Sequence, residues 1–217
     1  MKATGKQPGL ASVIETGTAT MGLCLFALCA HDAVPGRLVA VGGLAASAFA
    51  LHHANVSGSA TAERMGLSLP AHVARMYLAV GLALGAALAV GFRERLGLAM
   101  FPATLGSFVL LAALIGTAEE LLYRGYILGR LQFLGAPWAV VLSAVAHTAY
   151  KCALFARPRP GIETNFLFLA AATLLGGTAF GLLRVRANSV WPAVAAHACF
   201  DMLVYGDRAQ APWWVWQ

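Results

Sequence analysis

The sequence predicts an all-α protein, a polytopic transmembrane helical bundle of about seven spans, with six to eight as the range. Of its 217 residues, 59% are hydrophobic and only 11% are charged, whereas soluble domains carry about 25% charged residues. The mean hydropathy is +0.72. Apolar stretches long enough to cross a bilayer, about 17–25 residues each, recur along the chain. A soluble core of this size would need far more polar residues to cover its surface.

Short polar, proline-containing or glycine-containing segments divide the predicted spans. The apolar stretches lie at roughly 11–30, 37–53, 73–92, 101–123, 136–155, 165–183 and 189–206. The more polar segment 55–72 could instead form an interfacial helix before the third span. Glu15 and several threonines interrupt the first stretch, so we interpret it as a transmembrane helix that acts as its own insertion signal, not as a cleaved signal peptide.

The distribution of ionisable residues divides the chain into three parts with different predicted roles. In residues 1–100 the charges lie mainly at the ends of apolar runs, which predicts scaffold helices. In residues 101–206 ionisable side chains recur within or beside the spans, so this part is predicted to carry the functional site. Residues 207–217 end in "PWWVWQ" and predict an aromatic tail at the membrane interface.

Charge and cysteine content exclude several classes of partner. The net charge of +6 indicates basic loops beside anionic lipid. Since no Lys/Arg-rich patch with interleaved aromatic residues occurs, no nucleic-acid partner is expected. The cysteines form no CxxC pair and lie in or beside apolar segments, which is typical of small hydrophobic residues and predicts neither a disulfide nor a thiol-bound metal. They are Cys24, Cys29, Cys152 and Cys199.

The most informative stretch is "EELLYRG", which follows an uncharged apolar run. On a helix, residues four apart share a face, so Glu120 and Arg124 are predicted to form an ion pair. Glu119 points about 100° away and is left as a candidate general base, because a poorly solvated carboxylate can titrate in the range that such catalysis needs. Taken alone, the same pattern is also common at exposed helix ends.

Two later spans carry histidine. His147 lies in "SAVAHTAYK", and "HACFD" places His197 and Asp201 four residues apart, so that Asp201 could orient the His197 ring. Each could serve only helix packing. Together with Glu119, however, they place carboxylate and imidazole groups on three spans, which indicates a water-activating site. Glu119, His147 and His197 are also ligand types that zinc accepts, although the HExxH motif is absent.

These residues carry a resemblance to a known family. "EELLYRG" at 119–125, His147 in the next span and "HACFD" at 197–201 resemble the three motifs of the CPBP family of intramembrane endopeptidases. This family comprises the type II CAAX prenyl proteases and the bacteriocin-processing Abi proteins, and its pattern is EExxxR, FxxxH and HxxxN or HxxxD. The resemblance covers about residues 100–206.

The resemblance implies a role for each matching residue. Glu119 would activate water, and His147 would help to bind it. His197 and Asp201 would stabilise the oxyanion, and Glu120 with Arg124 would be a structural ion pair. The resemblance implies no cofactor, with zinc held by Glu119, His147 and His197 as the alternative. The chain departs from the pattern at Ser143, where the family has Phe, and at Asp201, which donates a hydrogen bond only when protonated.

The sequence therefore predicts an intramembrane endopeptidase of the bacterial inner membrane. Its expected partners are the lipid bilayer and a membrane-anchored peptide or protein, such as a tail near a lipid-modified cysteine, a C-terminal sorting segment or a leader peptide. The alternatives are a non-catalytic immunity or accessory protein on the same scaffold, and a small proton-coupled transporter. The absence of repeated halves argues against the transporter. Neither orientation in the membrane nor oligomeric state is indicated.

Overall fold

The structure, a computed structural model, describes residues 9–29, 34–56, 62–68, 71–156 and 164–209, and all regular secondary structure in these ranges is helical. The α-helices are α1 Gly9–Cys29, α2 Val34–Val56, α3 Ala62–Met65, α4 Ala71–Arg95, α5 Phe108–Glu120, α6 Leu128–Leu131, α7 Ala136–Phe155, α8 Phe166–Ala187 and α9 Trp191–Val204. A π-helical segment, Leu121–Ile127, joins α5 to α6, and a 3₁₀ turn, Gln132–Leu134, follows. Since no strand occurs in these described ranges, the all-α prediction is confirmed.

Five of these helices are long and apolar enough to cross a membrane. They are α1, α2, α4, α7 and α8, and each coincides with a predicted span. The other two predicted spans correspond to α9, which has only 14 residues, and to the continuous helical run from α5 to α6. The chain is therefore an all-α integral membrane protein with multiple spans. In the polar segment 55–72, the four-residue α3 lies between the end of α2 at Val56 and the start of α4 at Ala71.

The helices form two compact units that interleave in sequence. The first unit comprises Met1–Arg64 and Tyr126–Thr178, and the second comprises Met65–Gly125 and Ala179–Gln217. Both units draw on the predicted scaffold and on the part predicted to carry the site, so a functional boundary near residue 100 stays a prediction. Most of the aromatic tail, residues 210–217, lies outside the described residues, and its interfacial position also stays a prediction.

Glycine permits close packing of α1 on α2 in the first unit. A side chain at Gly22 would collide with the backbone carbonyl of Gly43 on the opposite helix. The Ser47 hydroxyl donates a hydrogen bond to the carbonyl oxygen of Ala19 at 2.8 Å. Small residues let helix backbones approach each other in lipid, and a short hydroxyl then adds a hydrogen bond across the contact.

The first unit also contains a buried ion pair, formed by the Glu15 carboxylate of α1 and the Arg130 guanidinium of α6. The second carboxylate oxygen of Glu15 lies 2.9 Å from Nδ1 of His53 on α2, whose side chain is 57% exposed. Glu15, which interrupts the first predicted span, thus makes tertiary contacts that join α1, α2 and α6.

In the second unit, α9 packs against both α4 and α5. Side chains added at Gly81 and Gly85 of α4 would collide with the carbonyl oxygens of Pro192 and Ala196. The two glycines lie four residues apart and therefore on one face of α4. This close contact fixes the position of α9, the helix that carries His197, against α4.

Gly85→Ala is expected to lower the free energy of unfolding by about 1–3 kcal/mol, because a methyl group must push two packed backbones apart. Gly91→Ala is the matched control on the same helix, since a side chain at Gly91 has nothing within 4 Å. The measurement is equilibrium unfolding in mixed micelles. Equal stability of the two variants would show that α4 and α9 do not need this close approach.

A group of hydrogen bonds around Arg93 and Asp207, here called the polar clasp, lies at one end of the second unit. The buried Arg93 guanidinium of α4 donates to the carboxylate of Asp207 at 2.8 Å, and to the carbonyl oxygens of Leu203 at 2.9 Å and Ala99 at 2.6 Å. Asp207 in turn accepts a hydrogen bond from the backbone nitrogen of Ala103 at 2.8 Å. The clasp therefore ties the end of α9 to α4 and to the connection that leads into α5.

The clasp gives the protein a specific acid sensitivity. The hydrogen bond from Arg93 lowers the pKa of Asp207, so its contribution to stability is present above the ordinary aspartate pKa of about 3.9 and is lost as the pH falls through the lowered value. Asp207→Asn is expected to melt at a lower temperature than the wild type at pH 7, and this difference should shrink below about pH 4. A difference that is constant across this range would contradict the assignment.

Candidate active site

The two adjacent acids of the first motif end α5, where the backbone changes from α-helical to π-helical. Glu119 and Glu120 are the last residues of α5, and Arg124 lies within the π-helical segment. Arg124 Nη1 donates to Glu120 Oε1 at 2.8 Å, and both side chains are 0% exposed. A π-helical turn is rare and occurs frequently at functional sites, where it alters the direction of side chains.

The Glu120 carboxylate also accepts a hydrogen bond from α9. Its Oε1 atom, the one that binds Arg124, lies 2.8 Å from Nδ1 of His197. One buried oxygen therefore joins a guanidinium and an imidazole, and the His197 ring presents its other nitrogen, Nε2, away from Glu120. A carboxylate at Nδ1 fixes both the tautomer and the direction of a histidine ring.

The Nε2 side of the ring faces two further carboxylates. Nε2 of His197 lies 3.8 Å from Glu119 Oε2 and 3.8 Å from Asp201 Oδ2. Glu120 makes the hydrogen bond at Nδ1, and the role of Asp201 in orienting the ring stays a prediction.

Gly116 provides the space for this arrangement. A side chain at Gly116 of α5 would collide with Asp201 Oδ2, and its Cβ would lie 3.0 Å from Cδ2 of His197. α5 and α9 can thus bring their functional groups together only because this position has no side chain. The sequence signal was available, since Gly116 lies four residues before Glu120 and hence on the same helix face.

His147 belongs to the other unit. It is buried on α7, as is Ser143 one turn earlier. Its assignment to the site depends on the order of the motifs along the chain and stays a prediction. The same holds for the effect of Ser143 at the position where the family pattern has Phe.

The described side chains do not form a preformed metal site. Within the described ranges, no group of three or more His, Cys, Asp and Glu side chains is arranged so that it could hold a metal ion. His197 has only Nε2 to offer a metal, because Nδ1 is engaged with Glu120.

The fold and the site define a class of protein. It is a helical integral membrane protein with a buried cluster of three carboxylates and an imidazole, held by one arginine. Such groups are costly to bury in a membrane and mark functional sites. Carboxylate and imidazole side chains are among the groups that act in general acid–base catalysis.

Comparison with known proteins indicates a particular family within this class. The family model described as Type II CAAX prenyl endopeptidase Rce1-like matches residues 101–203. This match confirms the resemblance drawn from the three motifs: residues 101–203 are similar to the CPBP/CAAX protease family. It supports the general activity of a CAAX-type intramembrane endopeptidase, a hydrolase of membrane-anchored substrates. No curated protein and no solved structure is similar enough to count as a match.

Proposed function

We propose that the protein hydrolyses a peptide bond of a membrane-anchored protein, near a C-terminal tail, with Glu119 as the general base. The observation that carries this proposal is the arrangement around His197, with Glu120 at Nδ1 and with Glu119 and Asp201 at Nε2. In the proposed roles, Glu119 is the base beside Nε2, and Glu120 supports the ring at Nδ1. The match to the endopeptidase family over the same helices supports it independently.

In the proposed reaction, Glu119 first accepts a proton from water and later donates it to the leaving group. Its carboxylate takes a proton from water as the water oxygen attacks the scissile carbonyl carbon. The carbonyl electron pair moves to oxygen and forms a tetrahedral oxyanion. When this intermediate collapses, the C–N bond breaks and the leaving nitrogen takes the proton from Glu119. A positioned acid–base group of this kind contributes about 10²–10⁴-fold to a rate.

His197 is the proposed donor to the oxyanion. Its Nδ1 proton is directed at Glu120, so only Nε2 can face the substrate, and Nε2 donates when the ring carries both protons. The carboxylates of Glu119, Glu120 and Asp201 compensate the positive charge of such a ring. Asp201 would assist only in its protonated form, as a second donor. Donors held in place before the reaction stabilise a developing charge at little reorganisation cost.

Glu120 and Arg124 are assigned the structural role, and the geometry extends it. Because Glu120 Oε1 binds both Arg124 and His197, the pair also orients the proposed oxyanion donor. His147 is proposed to bind the attacking water, on the strength of its place in the second motif. The proposed setting is the bacterial inner membrane, with no cofactor required.

The test is cleavage by purified protein in detergent and in lipid vesicles. The substrates are a prenylated peptide with a CAAX-type tail, the same peptide without the prenyl group, and a membrane-tethered leader peptide. Hydrolysis of the prenylated peptide by the wild type, lost in Glu119→Gln, is the expected result. Loss of cleavage on adding a chelator, restored by zinc, would overturn the metal-free mechanism. No cleavage of any peptide would favour an immunity protein or a transporter.

A further inference from the structure

The His197 ring is enclosed by two aromatic side chains. The Phe180 ring of α8 lies with its centroid 5.7 Å from that of His197 at an interplanar angle of 43°, and Phe200 of α9 lies at 6.4 Å and 66°. Phe180 is buried, at 6% exposed. The imidazole thus has an aromatic neighbour from another helix in addition to one from its own.

Phe180 contacts both ends of the hydrogen-bonded chain that runs from Arg124 through Glu120 to His197. The guanidinium carbon of Arg124 lies 5.8 Å from the centroid of the Phe180 ring, within the range of a cation–π contact. A single ring therefore packs against the cation that fixes Glu120 and against the imidazole that Glu120 fixes. None of the three sequence motifs includes this residue.

The hydrogen bond at Nδ1 does not by itself determine the tilt of the ring. The terminal torsion of histidine is broad, so packing against the faces of the ring also determines where Nε2 lies. On the α5 side, Gly116 brings the helix so close that an added Cβ would lie 3.2 Å from Cγ of His197. The Phe180 ring contacts the imidazole from α8.

We propose that Phe180 is a positioning residue, which holds the His197 ring in the plane that directs Nε2 toward Glu119 and Asp201. This inference deepens the proposed function and depends on it for its catalytic consequence. The competing explanation is ordinary packing, because Phe180 also belongs to an apolar cluster with Leu183, Ala193 and Ala196. The test must therefore separate ring placement from stability.

Leu183→Ala provides the matched control, since Leu183 lies in the same cluster one turn away on α8. Phe180→Leu and Phe180→Met fill most of the volume but lack an aromatic face. We expect both Phe180 variants to lower kcat by about tenfold or more at little change in KM, as for a misplaced catalytic group. They should also shift the pH–rate profile. Leu183→Ala should lose thermal stability and keep kcat within about twofold of the wild type.

A second readout does not depend on cleavage. In protein with isotope-labelled histidine, the Nδ1 proton that His197 shares with Glu120 should give a downfield resonance, assigned by its loss in His197→Gln. We expect this resonance to weaken or move in both Phe180 variants and to persist in Leu183→Ala. Equal behaviour of Phe180 and Leu183 variants in both readouts would overturn the inference. If Glu119→Gln still cleaves but the resonance behaves as expected, the proposed mechanism fails and the positioning role stands.

Discussion

Glu119→Gln is expected to lower kcat for peptide cleavage by about 10²–10⁴-fold while the protein stays folded. Glutamine has the shape of glutamate but cannot take a proton from water, so the substitution removes the proposed chemistry with little change in packing. Glu119 lies 3.8 Å from His197 Nε2, and glutamine fills the same space. We therefore expect a nearly unchanged melting temperature. The measurements are steady-state kinetics and thermal unfolding of the same preparation.

The matched control for this variant is Glu63→Gln, which removes an exposed carboxylate on α3. It should cleave at the rate of the wild type. The two variants carry the same change in net charge, so a difference between them reports on the site and not on overall charge. Retention of cleavage in Glu119→Gln would rule out Glu119 as the base.

Glu120→Gln is expected to have a large effect on stability, in contrast to its neighbour. Breaking a buried ion pair by removing one partner costs about 3–5 kcal/mol, because the other charge stays buried without compensation. Arg124, at 0% exposed, is that charge. The same change also alters the acceptor at Nδ1 of His197, so cleavage should fall together with stability. Unfolding in mixed micelles and kinetics at a temperature well below the melting point separate the two losses.

The double variant Glu120→Gln with Arg124→Met distinguishes the two roles of Glu120. Removing both charges should recover much of the lost stability, since an apolar replacement for a buried pair is often neutral. Activity should stay low, because the carboxylate that orients His197 is still missing. Full recovery of cleavage in the double variant would mean that Glu120 serves only to neutralise Arg124.

Much of the fold could be predicted because a bilayer imposes a simple rule on sequence. A helix that crosses lipid needs about 20 predominantly apolar residues, so five long helices lie where the apolar stretches predicted them. The π-helical segment could not be predicted, because Leu121–Ile127 is as apolar as an ordinary helix and the change in hydrogen bonding depends on its packing. The tie between Glu15 and Arg130 was also missed, since these residues are 115 positions apart.

In the site, too, contacts between residues close in sequence could be predicted, whereas contacts between distant residues could not. The pair of Glu120 and Arg124 follows from helix periodicity alone and forms as expected. Local spacing indicated Asp201 as a neighbour of His197 but not Glu120, because the hydrogen bond at Nδ1 of His197 goes to a residue 77 positions away. Phe180 has no signature at all in the sequence. An aromatic residue in an apolar span is ordinary, and only the fold places it beside an imidazole.

The ion pair between Glu15 and Arg130 has a consequence for the order in which tertiary contacts form while the protein is synthesised. Glu15 leaves the ribosome 115 residues before Arg130, which at about 5–20 residues per second is a delay of roughly 6–23 s. During that interval the acid lacks the Arg130 guanidinium, and of its two partners only His53 of α2 has been made. The contact that ties α1 to α6 can therefore form only after α6 has been synthesised.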